Sequence, residues 1–325
     1  MIKKLFNKEK WCRLAFFNIA FFASVMWFWG LALATHKLES VYNTGTHFAH
    51  YFLYFTLIYF ILVSIAYLIK VIINFSDVIE DFNHTVKSNF FPWVWKILLI
   101  FAIGFLSINM DISRCFWISW VIIQSIFTII IFRRWMLHPQ EIKSMNPLWF
   151  LPIVWNMLAP VAWVALGFVE LSWFFFSVGL IMWAVMFTII MNRIIFHNPL
   201  PQKLMPTLFI LIAPPAVALI SLTILNNWEI TDFAKMLFYF AMFMFVIIIS
   251  KINVLSKLKF FMSWWAYSFP MAVTTTATIL FYSKTKIELF YYLGIIFYII
   301  LWIIMWILIY QTYLGFRKKE LCIEE

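Results

Sequence analysis

Lys96 is the one ionisable side chain well inside an apolar stretch of this sequence, which runs from residue 88 to 110. Counted from Asn89 at 1.5 Å per residue, it lies about 10 Å along a helix. An ionisable group at such a depth in a membrane helix is a candidate functional residue, and on the wall of an aqueous path it would attract anions. The alternative is a lysine whose long side chain reaches the membrane surface.

A bulky ring, a proline and several hydroxyls follow one another near residue 270. Phe269 precedes Pro270, and the missing proline N–H is expected to free the carbonyl of Ala266. A ring beside a proline kink can swing with little backbone change; the alternative is that Phe269 only packs. The hydroxyls that follow, which could solvate a passing ion, belong to Thr274, Thr275, Thr276 and Thr278.

Other prolines lie inside apolar stretches, at Pro152, Pro160, Pro214 and Pro215. Asn156 lies midway between the first two, at a spacing of four residues. In an α-helix this spacing places Pro152, Asn156 and Pro160 on one face. We therefore expect that face to present a polar amide and a bent backbone to the protein interior.

The residues that would suggest a metal centre or an enzyme are scattered. His47 and His50 lie three residues apart, but two such ligands are too few for a structural metal site, and we interpret them as interfacial hydrogen-bonding residues. The cysteines, Cys12, Cys115 and Cys322, form no CxxC pair. There is no GxSxG or HExxH motif. The sequence thus predicts neither an enzyme nor a metal or cofactor site.

The composition indicates the environment that positions these residues. Of the 325 residues, 65% are hydrophobic and 12% are charged, whereas soluble domains have about 45–50% and about 25%. So few charges cannot cover a surface in water, so the lipid bilayer must surround most of it. The net charge of +10 lies in short gaps between apolar runs, which membrane topology explains better than nucleic-acid binding.

About ten transmembrane helices are predicted, since each span needs about 20 apolar residues. The first is too long for a signal peptide and is expected to be retained. No connection is long enough for a soluble domain, so residues 1–325 form a single membrane domain in an all-α integral membrane protein. The approximate segments, one to ten, are 14–35, 48–70, 90–108, 114–133, 147–168, 171–193, 205–226, 232–252, 260–283 and 289–316.

The distribution of positive charge predicts the orientation of the segments. If the N-terminus is cytoplasmic, the cytoplasmic parts hold 18 of the 24 Lys and Arg residues, and the opposite side holds Lys37, Arg114, Lys235, Lys284 and Lys286. Because positive charges concentrate on the cytoplasmic side, we expect a multi-pass protein of the cell membrane with both termini in the cytoplasm.

Prolines occur inside segments five, seven and nine and in no even-numbered segment. A carbonyl freed by proline is costly in lipid and tolerated where protein or water reaches it. We therefore expect the odd segments to be interior and the even segments to face lipid. The alternative is that each proline merely kinks its helix.

Two strings identify a resemblance. Residues 198–218 (NPLPQKLMPTLFILIAPPAVA) and 264–274 (WWAYSFPMAVT) resemble helices seven and nine of the TehA / plant slow-anion-channel family, also called the tellurite-resistance/dicarboxylate transporter family. A weaker match, Asn89 to Pro92 after His84 and Lys87, is similar to the start of that family's helix three.

The resemblance implies five helical hairpins around a central pore that is lined by the odd helices. It also implies a homotrimer with one pore per subunit, and a gate formed by Phe269. The sequence departs from the family pattern in segment one, which has a single glycine, Gly30, next to Trp29 and near Trp27. The resemblance therefore does not define the width of the pore near that end.

Three functions are weighed. The first is a channel in which small anions such as chloride or nitrate diffuse when Phe269 moves aside. The second is a secondary transporter for C4-dicarboxylates, sulfite or tellurite-type oxyanions; a dianion would require a firm cationic site, typically Arg, yet every Arg lies near a segment end. The third, a membrane enzyme or sensor, would need a catalytic cluster or an extramembrane domain. The channel is favoured.

Overall fold

The computed structural model describes residues 17–19, 21–83, 91–106 and 108–318, without the side chains of 83 and 92–94. These residues form helices and contain no β-strand. His84, Lys87 and Asn89 lie outside them. The α-helices are α1 (Phe21–Tyr42), α2 (Phe48–Ile73), α3 (Phe75–Asn83), α4 (Phe91–Phe105), α5 (Met110–Leu137), α6 (Pro160–Trp163), α7 (Val169–Phe196), α8 (Ala213–Leu225), α9 (Asp232–Ile249), α10 (Ile252–Leu255), α11 (Ser268–Thr285) and α12 (Glu288–Arg317).

Segments five, seven and nine are not continuous α-helices. Segment five consists of two 3-10 turns, Pro147–Phe150 and Val154–Leu158, followed by the single turn of α6. Segments seven and nine begin as 3-10 stretches, Met205–Leu211 and Met262–Tyr267, that lead into α8 and α11. The expectation of long helices in these segments is therefore wrong in detail, because each changes its helical type along its length.

The positions of the prolines explain these breaks. Pro160 is the first residue of α6, Pro214 and Pro215 lie in the first turn of α8, and Pro270 is the third residue of α11. A first-turn residue needs no intrahelical N–H donor, so proline fits there without a lost hydrogen bond. The prolines therefore begin new helical pieces rather than kinking long helices.

Burial separates the even-numbered segments from segment seven. Within the most apolar stretch of each span, 17% of residues are buried in α2 and in α5, 33% in α7 and in α9, and 28% in α12. In Met205–Leu225 the share is 94%. Six spans in the described part of the chain are long and apolar enough to cross a membrane. A membrane protein with lipid-exposed even helices accounts for this contrast.

The odd segments pack against one another in a closed ring. α1 contacts α4 on one side and α11 on the other, and α11 contacts α8. α8 in turn contacts Val154–Leu158 and α6, and α6 contacts α4, which completes the circle. Each even helix packs beside the odd segment that precedes it in sequence. Each odd segment therefore has two other odd segments as neighbours.

A buried ion pair fixes the connection between α2 and α4. The ammonium of Lys70, at the end of α2, lies 2.6 Å from a carboxylate oxygen of Asp77 and 2.8 Å from one of Asp81, both on α3. Lys70 and Asp81 are buried, so removal of either partner would leave a costly unpaired charge. The pair holds the short helix α3 against the end of α2.

Candidate functional site

Phe269 lies on the first turn of α11, where segments one, five, seven and nine meet, and 3% of its surface is exposed. It borders a cavity of about 10 Å³, which is about the smallest space that holds a single water molecule. Every residue that lines this cavity comes from segment one, five, seven or nine: Met26, Trp27, Leu151, Trp155, Ile210, Ala266, Phe269 and Pro270. In this conformation the point where these four segments meet is therefore filled by side chains.

The phenyl ring of Phe269 is contacted from two sides. Trp155 meets it edge-on, with ring centroids 4.5 Å apart and an interplanar angle of 63°. On the other side α1 approaches closely at Gly30, where an added Cβ would lie 2.9 Å from the Cβ of Ala272 and 3.7 Å from the Phe269 ring. Gly30 thus allows α1 and α11 to touch beside the cavity.

Lys96 brings segment three to the same site. Its side chain is 2% exposed, and its ammonium donates a hydrogen bond to the backbone carbonyl of Leu151. The same nitrogen lies 5.2 Å from the centroid of the Trp155 ring, within the range of a cation–π contact. Lys96 therefore does not extend to the protein surface; it contacts Trp155, which contacts Phe269.

Asn156 is not brought to the cavity. Its side-chain oxygen accepts a hydrogen bond of 2.9 Å from the amide of Gln124 on α5, and the same amide donates to the carbonyl of Pro152 at 2.7 Å. The predicted common face of Pro152, Asn156 and Pro160 assumed an α-helix. Asn156 lies in the 3-10 turn Val154–Leu158 and Pro160 begins α6, so the three residues do not share one α-helix. Because the same amide nitrogen of Gln124 donates to both Pro152 and Asn156, these two acceptors are directed toward α5.

The remaining predicted residues lie along α8 and α11. Pro270 lines the cavity, whereas Pro214 and Pro215 are buried in the first turn of α8 and do not line it. The hydroxyl of Thr274 donates to the carbonyl of Pro270 at 2.7 Å, and that of Thr276 to Ala272 at 2.9 Å. Each hydroxyl proton is thus used within the helix, and only oxygen lone pairs remain for other contacts.

Trp155 is the residue that sequence reasoning missed. It carries no charge and lies among other apolar residues of segment five, so only its aromatic contacts with Lys96 and Phe269 distinguish it. Trp27, noted above only for its bulk, also lines the cavity and stacks on Trp265 at 4.8 Å. The indole groups of Trp27 and Trp155 therefore both border the cavity.

Comparison with known proteins gives the family. The family described as voltage-dependent anion channel matches residues 16–313. The chain is 30% identical to S-type anion channel SLAH2 of Arabidopsis thaliana over 79% of its own length and 49% of the relative's. It is 26% identical to the guard cell S-type anion channel SLAC1 of the same plant over 69% and 41%.

An archaeal relative, an uncharacterised transporter of Methanocaldococcus jannaschii, is 26% identical over 86% of this chain and 88% of the relative. The chain thus spans about half the length or less of these plant relatives, but most of the archaeal one. The match to residues 16–313 confirms the resemblance found in the strings of segments seven and nine. This chain belongs to the voltage-dependent anion channel family.

Proposed function

We propose that this protein is an anion channel that conducts small anions such as chloride or nitrate through the centre of the ring of odd segments. The observation that carries the proposal is the cavity beside Phe269, which is lined only by odd segments of the ring. The names of the plant relatives, S-type anion channels, agree with it. On this proposal the protein has five helical hairpins, and the packing of each even helix beside its preceding odd segment supports that arrangement.

In this proposal Phe269 is the gate. Its ring borders the cavity, and every lining residue has an apolar or aromatic side chain. Rotation of one ring at the start of α11 leaves the rest of the helix in place. Hydrophobic constrictions of this kind control conduction by excluding water and ions until the ring moves.

Lys96 would provide the positive potential of the path. While Phe269 is in place, the ammonium is held by Leu151 and Trp155. Once the cavity opens, a single cation attracts anions and does not form the paired site that would hold them tightly. Conduction requires weak binding of this kind, because the ion must also leave.

The proposal includes the surroundings of the channel. The excess of Lys and Arg on one side supports an orientation with both termini in the cytoplasm. The lipid bilayer surrounds the exposed faces of α2, α5, α7, α9 and α12. We propose the homotrimer, with a path in each subunit, on the family resemblance.

A secondary transporter is the second candidate function, favoured by the name of the archaeal relative, a transporter. One experiment separates the two: electrophysiology of the purified protein in planar bilayers with chloride, nitrate or malate, with and without a pH gradient. A channel gives currents that follow the electrochemical gradient of the anion alone. Flux that saturates, prefers malate and responds to the pH gradient would replace the channel proposal by the transporter.

A further inference from the structure

Two lysines from different segments lie around one exposed tryptophan. The ammonium of Lys37, on α1, is 5.4 Å from the centroid of the Trp228 ring, and that of Lys284, on α11, is 6.0 Å from it. Trp228 lies in the connection between α8 and α9 and is 48% exposed. The ends of α1 and α11 and the connection that follows α8 therefore meet at this point.

Neither lysine is neutralised by a carboxylate. Among the residues that the structure describes, no Asp or Glu oxygen lies within 4.0 Å of the ammonium of Lys37 or of Lys284. By contrast, Lys235 on the same face pairs with Asp232 at 2.9 Å. Two like charges around one ring repel each other, and an anion placed between them would relieve that repulsion.

The backbone at Trp228 is strained in a way that supports this contact. Trp228 has a φ of +65°, and Asn227 before it has +53°. Asparagine tolerates this left-handed region, whereas a bulky aromatic residue rarely adopts it. The N–H of Trp228 donates to the carbonyl of Thr223 at 2.8 Å, which closes the end of α8. The chain thus holds the indole ring where both lysines reach it.

The position of the cluster relative to the ring of segments gives it a role. α1, α8 and α11 all end at this face, so their carbonyl ends direct partial negative charge toward it. An anion that approached the path from this side would be repelled by those helix ends. The positive charges of Lys37 and Lys284 oppose this partial negative charge.

We propose that Lys37, Lys284 and the ring of Trp228 form an anion-binding site at this mouth, which takes up small inorganic anions before they enter the path. The inference rests on the proposed channel function. The shared chemistry, an anionic group between two ammonium groups, also fits a lipid phosphate, so the test must separate a free anion from a lipid headgroup.

The test is single-channel recording of the purified full-length protein in neutral phosphatidylcholine bilayers, with Lys37→Gln, Lys284→Gln and the double variant. Lys235→Gln is the control for loss of a lysine on the same face that, unlike Lys37 and Lys284, is paired with a carboxylate. With about 0.02 M chloride on one side at a time, the double variant should lower anion entry from this mouth by about 2- to 5-fold and leave entry from the other side unchanged. At about 1 M salt, where the screening length is about 3 Å, the difference should disappear.

Equal effects of the double variant and Lys235→Gln would overturn the inference. A reduction that appears only in bilayers with anionic lipid would assign the lysines to a headgroup and also overturn it. If neither the wild-type protein nor the Phe269→Ala variant passes an anion, the channel proposal fails. The anion-binding site is then tested by the broadening of the chloride NMR line in the presence of the detergent-solubilised protein. The broadening must be weaker with the double variant than with Lys235→Gln.

Discussion

The indole ring of Trp155 lies edge-on against the phenyl ring of Phe269, with centroids 4.5 Å apart. One residue belongs to a 3-10 turn of segment five and the other to the first turn of α11. Because Lys96 contacts the face of the same indole, three odd segments meet through these side chains. Phe269 therefore cannot move without a change in its contact with Trp155.

Phe269→Ala should raise anion conductance strongly, because the alanine leaves the centre of the cavity empty. Phe281→Ala is the matched control: Phe281 is also buried on α11, but it stacks on Phe238 at 4.1 Å, away from the cavity. Both changes cost about 3–5 kcal/mol of stability, so a general loss of stability would affect both variants alike. Only Phe269→Ala should increase the current in planar bilayers. Unchanged currents at normal expression would contradict the gate.

Trp155→Leu should also raise the open probability. An aromatic pair contributes about 0.5–1.5 kcal/mol beyond its buried area, so loss of the pair should shift the closed-to-open ratio by roughly 2- to 10-fold. Combined with Phe269→Ala, the effect should be less than additive, since the two rings share one contact. Trp120→Leu is the control, because Trp120 is buried against Trp163 instead. Fully additive effects would mean that the rings act independently.

Lys96→Gln should lower conductance and anion-over-cation preference in the Phe269→Ala background. Without the phenyl ring, ions would pass close to Trp155, which the Lys96 ammonium contacts, and loss of that charge should reduce anion entry by about 2- to 10-fold. Reversal potentials in a chloride gradient measure the preference. If the Phe269→Ala/Lys96→Gln double variant has the same conductance and anion preference as Phe269→Ala alone, the role of Lys96 is limited to its contacts with Leu151 and Trp155.

The sequence was sufficient to single out Lys96 and the prolines of the odd-numbered segments, because a charge within an apolar run and a missing N–H are properties of residue type. Phe269 was singled out by the family resemblance. The partner of Asn156 was not predictable in the same way. Residues four apart lie about 40° apart around an α-helix but about 120° apart around a 3-10 helix. Asn156 lies in the 3-10 turn Val154–Leu158, and its amide oxygen accepts a hydrogen bond from Gln124 on α5.

Trp155 shows a second limit of sequence reasoning. With 18 tryptophans and 39 phenylalanines in the chain, aromatic identity alone carries little information on which rings touch. The contact depends on how segments three, five and nine close the ring, which is a property of long-range packing. First-turn prolines, by contrast, are a known local signal for the start of a helix, and Pro160, Pro214 and Pro215 conform to it.

Gly30→Ala should destabilise the protein, because the new Cβ would lie 2.9 Å from that of Ala272. Overpacking of this kind costs about 1–3 kcal/mol, visible as a lower Tm of the detergent-solubilised protein. Ala272→Gly in the same chain removes the atom that clashes and should restore much of the loss. If Gly30→Ala leaves the Tm unchanged, α1 and α11 have room to separate beside Phe269.

The conductance from the mouth near Lys37 should fall as pH rises from about 7 to about 9. Lys37 lies beyond the predicted end of segment one; burial, and then repulsion by Lys284, lower its pKa from 10.5 to about 8. The neighbouring His36 on α1 is influenced by Lys37 itself, by Glu39 on α1 and by His50 on α2. Burial, followed by His50, lowers the pKa of His36 below its usual value, so His36 is neutral in this window.

A lysine with a pKa of about 8 is about 90% protonated at pH 7 and about 10% at pH 9. The positive potential at the mouth is therefore present below this pKa and lost above it, and anion entry at low salt should decline with a midpoint near pH 8. Lys37→Gln should remove this step and leave a flat profile, whereas Lys235→Gln should retain it. A wild-type profile that stays level across this range would show that the charge of Lys37 does not influence entry, even if the lysine lines the mouth.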